Sequence, residues 1–460
     1  MKNISFQTKL IKRRLGILLT LVCSLGVFSC SEFLEVKPDQ SLVVPTTLED
    51  VQSMLDNTNI FNAQPVLPLI ASEEVWITDA GFDALGNPIE QATFTWQEDP
   101  FLGGFAGDWN SVYAQVFYSN VALDVLSKYE GERNQFYNTL QGSAYFLRAY
   151  AYLQLVDQFS QPFQKGADNS RILGIVIKES PDVNEPIRRS SLLETYDQIF
   201  EDLNLAVSLL PDRAEPKTRP TKAIALGALS RAYLNTFRYP EAANAAKEAL
   251  EIYSDRLDFN NINVNASRPF VRFDQETIFY STLFSLSFLR SNEVFVDSTL
   301  MDLYDENDLR KKAFFDRASN GQFIYTGKIS GDTRNFGGLS VGELYLNAAE
   351  GFSRMGEDGE ALKFLNELLA LRYDSEFWEP IASLNSSELL ERILQERRKE
   401  LFGRGLRWMD LRRLNQEGAG ITLVREVKGQ RYELVPNSLR YTFPIPMDEI
   451  TRSGIEQNPR

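Results

Sequence analysis

Residues 192–210, LLETYDQIFEDLNLAVSLL, have the hydrophobic pattern that decides the fold class. Apolar residues recur there at spacings of three and four and form one stripe of a helix: Tyr196, Ile199, Leu203, Ala206 and Leu210. Pro211 and the segment through Pro220 end that helix, because proline lacks the N–H that a helix interior needs. The stretch predicts one amphipathic helix that needs a partner to cover its apolar side.

Further helices follow directly along the chain. Residues 221–237 predict a helix whose small residues permit the close approach of a neighbour: Ala225, Ala228 and Ala232. Pro240 opens a third helix through Leu250, since proline is tolerated in a first turn. Such short helices bury their apolar faces by stacking on one another.

Similar helical pairs are predicted elsewhere in the chain. One runs from Leu344 through Gly351 to a turn at 356–359 and on to Leu368, and another joins residues 113–126 with 136–159. Helical pairs of this size resemble tetratricopeptide units, and several copies imply a stacked array. Two interpretations stay open, a concave groove that binds peptide and a scaffold that holds long loops. The predicted fold is mainly α.

The N-terminus has the pattern of a secretory signal that ends at Cys30. Five basic residues precede an uncharged run at 15–28, which is shorter than the roughly 20 residues that span a bilayer. The order Val27-Phe28-Ser29-Cys30 resembles a bacterial lipobox, so we expect cleavage before Cys30 and acylation of its thiol. An ordinary cleaved signal with an incidental cysteine is the alternative.

Composition excludes several classes of function. The net charge of −15 becomes −20 once the basic signal is removed, which disfavours nucleic acid as a partner. The chain has no histidine, so it contains no Ser-His-Asp or Cys-His site and no imidazole zinc site. We expect neither a cofactor nor a metal. A glycosidase pair of carboxylates is the surviving catalytic alternative, with candidates in or near loops: Glu73, Glu74, Asp99, Asp302 and Asp305.

Aromatic residues are concentrated in segments that are rich in Gly, Asp and Pro. They occur in residues 65–107 and again in 279–295, where Tyr280, Phe284 and Phe288 have a spacing that suits a helix face; a polar, glycine-rich third segment is 325–336. Aromatic faces bind the C–H faces of sugars and also cover apolar side chains. The predicted ligand-binding residues are Trp76, Trp96, Phe101, Tyr280 and Phe284.

Several ordered segments together resemble the SusD/RagB family of surface lipoproteins. They run nearly from end to end: 33–38, 147–150 with 157–162, 196–206, 343–350 with Ala361, Asn366 and Arg372, 396–401 with 407–413, and 443–450 with 457–459. One departure is Arg404, which precedes Gly405 where the family usually has an acidic residue. Within 396–413 the residues themselves suggest a structural role, with Glu396 and Glu400 on one helix face pairing with basic residues from 397 to 404.

The resemblance implies a tetratricopeptide-like helical-pair scaffold with a loop-rich second region. We expect a signal peptide at 1–29 and one SusD-like domain at 30–460, with its scaffold at about 108–255 and 340–415 and its ligand region at about 60–107 and 256–339. The implied function is capture of an oligosaccharide, or alternatively an oligopeptide, for a SusC-like TonB-dependent transporter. The protein would perform no catalysis and would be anchored in the outer membrane through Cys30, facing outward.

Overall fold

A computed structural model of the chain describes residues 45–460. Its secondary structure is mainly helical. The helices, in chain order, are α1 (Leu48–Leu55), α2 (Thr58–Phe61), α3 (Leu67–Ala71), α4 (Asp79–Asp83), α5 (Pro88–Phe94), α6 (Gly107–Ser127), α7 (Gln135–Phe159), α8 (Leu192–Leu209), α9 (Lys222–Asn235), α10 (Tyr239–Ile252), α11 (Ser298–Met301), α12 (Leu309–Phe314), α13 (Val341–Arg354), α14 (Asp358–Leu369), α15 (Ser386–Glu400), α16 (Arg407–Gln416) and α17 (Met447–Ser453).

The strands are short and pair two by two. They are β1 (Ala63–Gln64), β2 (Val75–Ile77), β3 (Leu173–Val176), β4 (Arg189–Ser191), β5 (Thr277–Phe279), β6 (Thr282–Leu283), β7 (Val294–Val296), β8 (Phe315–Arg317), β9 (Phe323–Tyr325), β10 (Leu339–Ser340), β11 (Leu423–Val427) and β12 (Gln430–Leu434). β1 pairs with β6 in parallel, and the antiparallel pairs are β2–β7, β3–β4, β5–β10, β8–β9 and β11–β12. Several of these pairs join segments that are far apart in the chain.

The long helices form a continuous stack. Each packs against the next in the order α6, α7, α8, α9, α10, α13 and α14. Local sequence defines where several of them begin: the side chain of Asn134 accepts N–H groups at the start of α7, Thr221 does so for α9, and Ser191 forms a capping box with Glu194 at α8. The expectation of a mainly α, tetratricopeptide-like scaffold is confirmed.

Small residues set the spacing between stacked helices. Ala225, Ala228 and Ala232 on α9 are completely buried. Between α10 and α13, a Cβ atom at Gly351 would lie 2.8 Å from the Cβ of Ala243, closer than two such carbons can pack. Glycine at 351 is therefore required for this approach, as the small-residue pattern indicated.

The prediction of helical spacing through residues 279–295 is wrong. Tyr280 directly follows β5 and Phe284 directly follows β6, both outside any helix, and Phe288 begins a single 3₁₀ turn, Phe288–Arg290, before β7. β5 pairs with β10, β6 with β1, and β7 with β2, so each strand finds its partner 45 or more residues away. Distant pairing overrides a local periodicity, because strand structure depends on its neighbours.

The segment 396–413 forms a buried ionic network. Glu396 is paired with Arg310 at 2.5 Å and with Lys399 at 2.8 Å, and Glu400 is paired with Arg310 and Arg372. The expectation that both glutamates pair within 397–404 holds only for Lys399, because the other main partners come from α12 and from the end of α14. The segment joins scaffold and loops through buried charges that are mostly in ion pairs, whereas Arg412 donates to the backbone carbonyls of Asp157 and Ser160.

Arg404, the residue that departs from the family pattern, also lies in this network. Its guanidinium group contacts the Glu343 carboxylate at 2.6 Å, and Arg231 contacts the same carboxylate at 2.8 Å. Nearby, the buried ring of Trp408 packs on Tyr441 at a centroid distance of 4.8 Å. Both observations agree with a structural role for 396–413.

The predicted anchor at Cys30 lies outside the described residues. Within 45–460 no helix is both long enough and apolar enough to span a membrane. Residues 47–460 form one compact unit, and the predicted division into a scaffold and a ligand region stays a prediction.

Candidate ligand-binding site

The structure places most of the five predicted ligand-binding residues in the core. Trp96, Phe101 and Tyr280 are only 3%, 2% and 2% exposed, whereas Trp76 and Phe284 are partly buried. Three of them pack against aromatic rings of the protein itself: Trp76 against Phe295 across β2 and β7, Phe101 against Phe159, and Tyr280 against Phe273. A ligand on the surface of this structure does not reach the three buried rings, and ligand contact by the five stays a prediction.

Trp96 is held by a buried arginine of the C-terminal hairpin β11–β12. The guanidinium carbon of Arg425 lies 4.5 Å from the Trp96 ring centroid. The indole Nε1–H donates to the Ala71 carbonyl at 2.9 Å, and the backbone of Trp96 has a positive φ of 51°. Trp96 is therefore a packing anchor for the loop between α5 and α6.

A cleft with a volume of about 140 Å³ opens beside β2 and β7. We call it the cationic cleft; it is lined by four separate parts of the chain, namely Leu69 with Val75, residues 289–292 with 294–296, residues 324–326 with Lys328 and Asn335, and Phe402 with Gly403. This volume is below the range of about 300–1,000 Å³ that is typical of small-molecule sites, so the cleft accommodates one part of a larger ligand.

One wall of the cationic cleft is apolar and aromatic. The Tyr325 ring packs edge-on against Phe402 at a centroid distance of 5.0 Å. Gly403 lies beside it with a φ of 74°, and a Cβ atom there would come within 2.8 Å of the Tyr325 ring. Glycine is thus required at this position for two reasons: the backbone is left-handed, and the Tyr325 ring leaves no room for a Cβ atom. The arrangement holds Tyr325 against the cleft.

The cleft also carries polar and basic groups. Arg290, Asn292 and Thr326 line it together with Lys328. The Lys328 ammonium donates to the Thr333 carbonyl at 2.7 Å, and burial lowers its pKa from the ordinary value. Among residues 45–460, no carboxylate lies within ion-pair distance of Arg290 or Lys328. These cations are free to meet a ligand.

A buried carboxyl group lies next to the cleft. Glu74 precedes Val75, and burial raises its pKa to about 8, with the nearby charge of Glu73 as a further cause. One of its carboxyl oxygens has no hydrogen-bond partner. Glu73, by contrast, accepts from Arg407 at 2.7 Å. At neutral pH Glu74 is mostly protonated, so it adds little negative charge to the site.

The remaining carboxylates of the predicted glycosidase alternative have local roles or are solvated. Asp99 accepts the N–H groups of Phe101 and Leu102, and Asp305 accepts that of Asn307. Asp302 is exposed. Among the described residues, no group of three or more acidic, cysteine or histidine side chains could hold a metal ion.

Sequence reasoning named the right segments but missed the residues of the cleft. Residues 279–295 and 325–336 were both candidate loops, and they contribute Arg290, Asn292, Tyr325, Lys328 and Asn335. The selection by ring type favoured aromatic residues that turned out to be buried. The sequence feature that could have indicated the cleft residues is a basic residue in each of these loops, Arg290 and Lys328, in a strongly acidic chain.

Comparisons with known proteins agree with this architecture. Residues 32–234 match a family model described as SusD-like, starch-binding and associating with the outer membrane, and residues 326–460 match the SusD family model. The segment 235–325 lies between the two matches, and it contains the cleft residues 289–292 and 294–296.

Individual relatives cover most of the chain. SusD-like protein P2 of Formosa agariphila is 23% identical over an alignment 435 residues long that covers 80% of this chain and 82% of that protein. A SusD superfamily protein from Bacteroides thetaiotaomicron (TM-score 0.73, 21% identity) and the surface glycan-binding protein A from Bacteroides fluxus (TM-score 0.69, 20% identity) are similar in structure. Each covers 90% of this chain and is itself covered in full. The sequence segments, the helical stack and these matches together show that the chain belongs to the SusD/RagB family.

Proposed function

We propose that the protein captures an oligosaccharide at the cationic cleft and delivers it to a SusC-like TonB-dependent transporter. The single observation that carries the proposal is the cleft itself, whose lining combines the Tyr325 ring with polar side chains. An aromatic ring beside hydrogen-bonding side chains is suited to sugar rings, which present C–H faces and hydroxyl edges. The family description as starch-binding supports the same ligand class.

The proposed setting is the outer surface of the outer membrane. Acylation of Cys30 would tether the folded body there, and tethering would supply a high effective concentration of captured ligand near the transporter. The family description as outer-membrane associating supports this location. The SusC-like partner is part of the proposal, and co-purification of this protein with a β-barrel transporter from the source cells tests it.

The proposal includes no bond cleavage. Glu74 is buried with a raised pKa, Glu73 is paired with Arg407, and Asp99 and Asp305 accept backbone N–H groups. Release of reducing ends from a retained glycan, lost in Glu73→Gln and Glu74→Gln variants, would overturn the non-catalytic assignment and favour a glycosidase.

Affinity gel electrophoresis of the purified full chain on a glycan panel tests ligand capture. We expect retardation by at least one glycan, and about tenfold weaker retention for Tyr325→Leu, which removes the ring but keeps an apolar contact with Phe402. Tyr432→Leu on β12, away from the cleft, is the matched control. Retention by a peptide pool and by no glycan would replace the oligosaccharide with the oligopeptide alternative.

A further inference from the structure

The charge of the cleft lining differs from that of the whole chain. The chain has 63 acidic and 48 basic residues, so a lining of 16 average residues would include about two acidic ones. The 16 residues that line the cleft include two basic residues, Arg290 and Lys328, and no acidic residue. A local positive site on a strongly acidic protein concentrates anions where the rest of the surface repels them.

The two cations lack the partners that such groups usually have. Many other basic side chains of the described residues are in ion pairs, including Arg310, Arg372 and Arg413. Lys328 is partly buried, and among the described residues its side chain makes a hydrogen bond only to the Thr333 carbonyl. Arg290 is exposed and makes no side-chain hydrogen bond within residues 45–460. A partly desolvated ammonium with a single neutral acceptor is stabilised by an incoming anion.

The acidic groups near the cleft are directed elsewhere or neutralised. Asp332 is 3.4 Å from the Arg334 guanidinium and caps its own turn, and Glu293 accepts the Thr78 hydroxyl at 2.6 Å. Asp316 accepts the Thr326 hydroxyl. Glu74, which adjoins the cleft, has a pKa of about 8 because it is buried. The negative charge of Asp332 partly opposes the lowering of the Lys328 pKa by burial, but among the described residues neither Asp332 nor Glu293 forms an ion pair with Arg290 or Lys328.

We propose that the oligosaccharide captured in the cationic cleft is anionic, with a carboxylate or sulfate group of the glycan held by Arg290 and Lys328. This inference rests on the proposed function and narrows it to acidic glycans, either polyuronates or sulfated polysaccharides. Arg290 has a planar fork of donors that suits both groups, and Lys328 supplies a point charge. The Tyr325 ring, whose centroid is 6.0 Å from the Lys328 ammonium, contacts the sugar that carries the anionic group.

The test compares matched pairs of polymers that differ in charge alone. Polygalacturonate and alginate are each run beside their carboxyl-reduced forms, and carrageenan and dextran sulfate beside their desulfated forms, by affinity electrophoresis and calorimetry on the full chain. We expect at least one acidic polymer to bind about tenfold or more tightly than its neutral form. The carboxylate and sulfate pairs distinguish the two sources of the anion.

Variants assign the effect to the cleft. Lys328→Met and Arg290→Gln are each expected to weaken binding of the acidic polymer about tenfold and to weaken binding of the neutral form by a much smaller factor. Lys328→Arg should restore most of the affinity. Lys312→Met is the matched control, since it removes one exposed positive charge outside the cleft. Circular dichroism and thermal unfolding establish that each variant is folded.

The outcomes separate the two proposals. Equal binding of acidic and neutral forms, unchanged in Lys328→Met, would overturn the anionic assignment while glycan capture stands. An equal loss in Lys312→Met would also overturn it, because the effect would then follow overall charge. Retention of no glycan by the folded chain, with or without retention of an acidic peptide, would overturn the proposed function itself.

Discussion

The guanidinium carbon of Arg425 lies 3.8 Å from the centroid of the Phe94 ring, and the same guanidinium donates to the carbonyls of Phe94, Ile70 and Ser72. Arg425 is buried and has no carboxylate partner among the described residues. Burial lowers its pKa to about 9, so it stays charged at neutral pH. The C-terminal hairpin thus fastens the segment that leads from α3 to β2 through backbone acceptors and an aromatic face.

Replacing Arg425 with Met should lower the free energy of unfolding by about 3 kcal/mol, because three buried carbonyls lose their donor. Lysine at 425 should recover only part of this, since it cannot reach three acceptors with a planar fork. Guanidinium chloride titration measures the change. Arg431→Met on the exposed side of the same hairpin should lower the free energy of unfolding by less than about 0.5 kcal/mol, as is usual for surface substitutions. Equal losses at 425 and 431 would contradict the fastening role.

Replacing Arg310 with Met should cost about 3–5 kcal/mol, because the side chain is completely buried and three carboxylates would lose their shared partner. Lys363→Met removes the exposed ammonium that lies 4.0 Å from the Glu360 carboxylate, and it should change the free energy of unfolding by about 0.5 kcal/mol or less. Urea denaturation of both variants checks the difference. A loss at Arg310 no larger than that at Lys363 would mean that the ionic network contributes little.

Stability should fall as pH rises from about 5 to 8. Burial raises the pKa of Glu74 to about 8 and the pKa of Asp108 and Asp157 to about 7, so over this range the folded protein binds more protons than the unfolded chain. Glu74→Gln, which is uncharged at every pH, should remove the part of the decline between pH 7 and 8. Thermal unfolding at successive pH values measures this. Glu306→Gln, an exposed position, should reproduce the wild-type curve; a decline in Glu74→Gln parallel to the wild type would exclude Glu74 as its source.

Stability should also fall when pH drops below about 4.5. Ion pairs with Arg231 and Arg404 hold the pKa of Glu343 at about 2, and Arg310 with Lys399 holds that of Asp308 at about 2. Their stabilisation is present above the pKa values of the unfolded chain and is lost as pH falls through those of the folded state. Because stability also falls as pH rises from about 5 to 8, we expect maximum stability near pH 5. A melting temperature that does not change from pH 5 to pH 2 would contradict these pairings.

Replacing Cys30 with Ala should release the protein from the membrane fraction and impair uptake of its ligand, while affinity in solution is unchanged. The reason is that acylation at Cys30 is proposed to tether the body and not to shape the cleft. Fractionation with immunoblotting and calorimetry measure the two effects. Cys23→Ala, within the predicted signal segment, is the control and should leave localisation intact. A loss of affinity in the soluble Cys30→Ala protein would contradict this separation of roles.

The helical scaffold could be predicted from the sequence because its information is local. The three-and-four spacing at 192–210, the small residues of α9 and the turn at 356–359 all act within one or two helices. Ser191, Thr221 and Asn134 begin helices through hydrogen bonds only two or three residues away. Such patterns need no knowledge of distant partners.

The candidate site could be located only to its segments. Val75, Arg290, Tyr325 and Gly403 meet because β2 pairs with β7 and Phe402, just after α15, packs on Tyr325 of β9; Val75 pairs with Val296, 221 residues away, and Tyr325 is 77 residues from Phe402. Distant strand partners also overrode the helical spacing at 280–288, and contacts with Arg425 and Phe159 hold Trp96 and Phe101 in the core. Sequence by itself therefore determined the stacked helices, the family and the acidic, histidine-free composition. Tertiary structure alone decided which side chains line the cleft, because burial of a ring and the pairing of a charge depend on residues far along the chain.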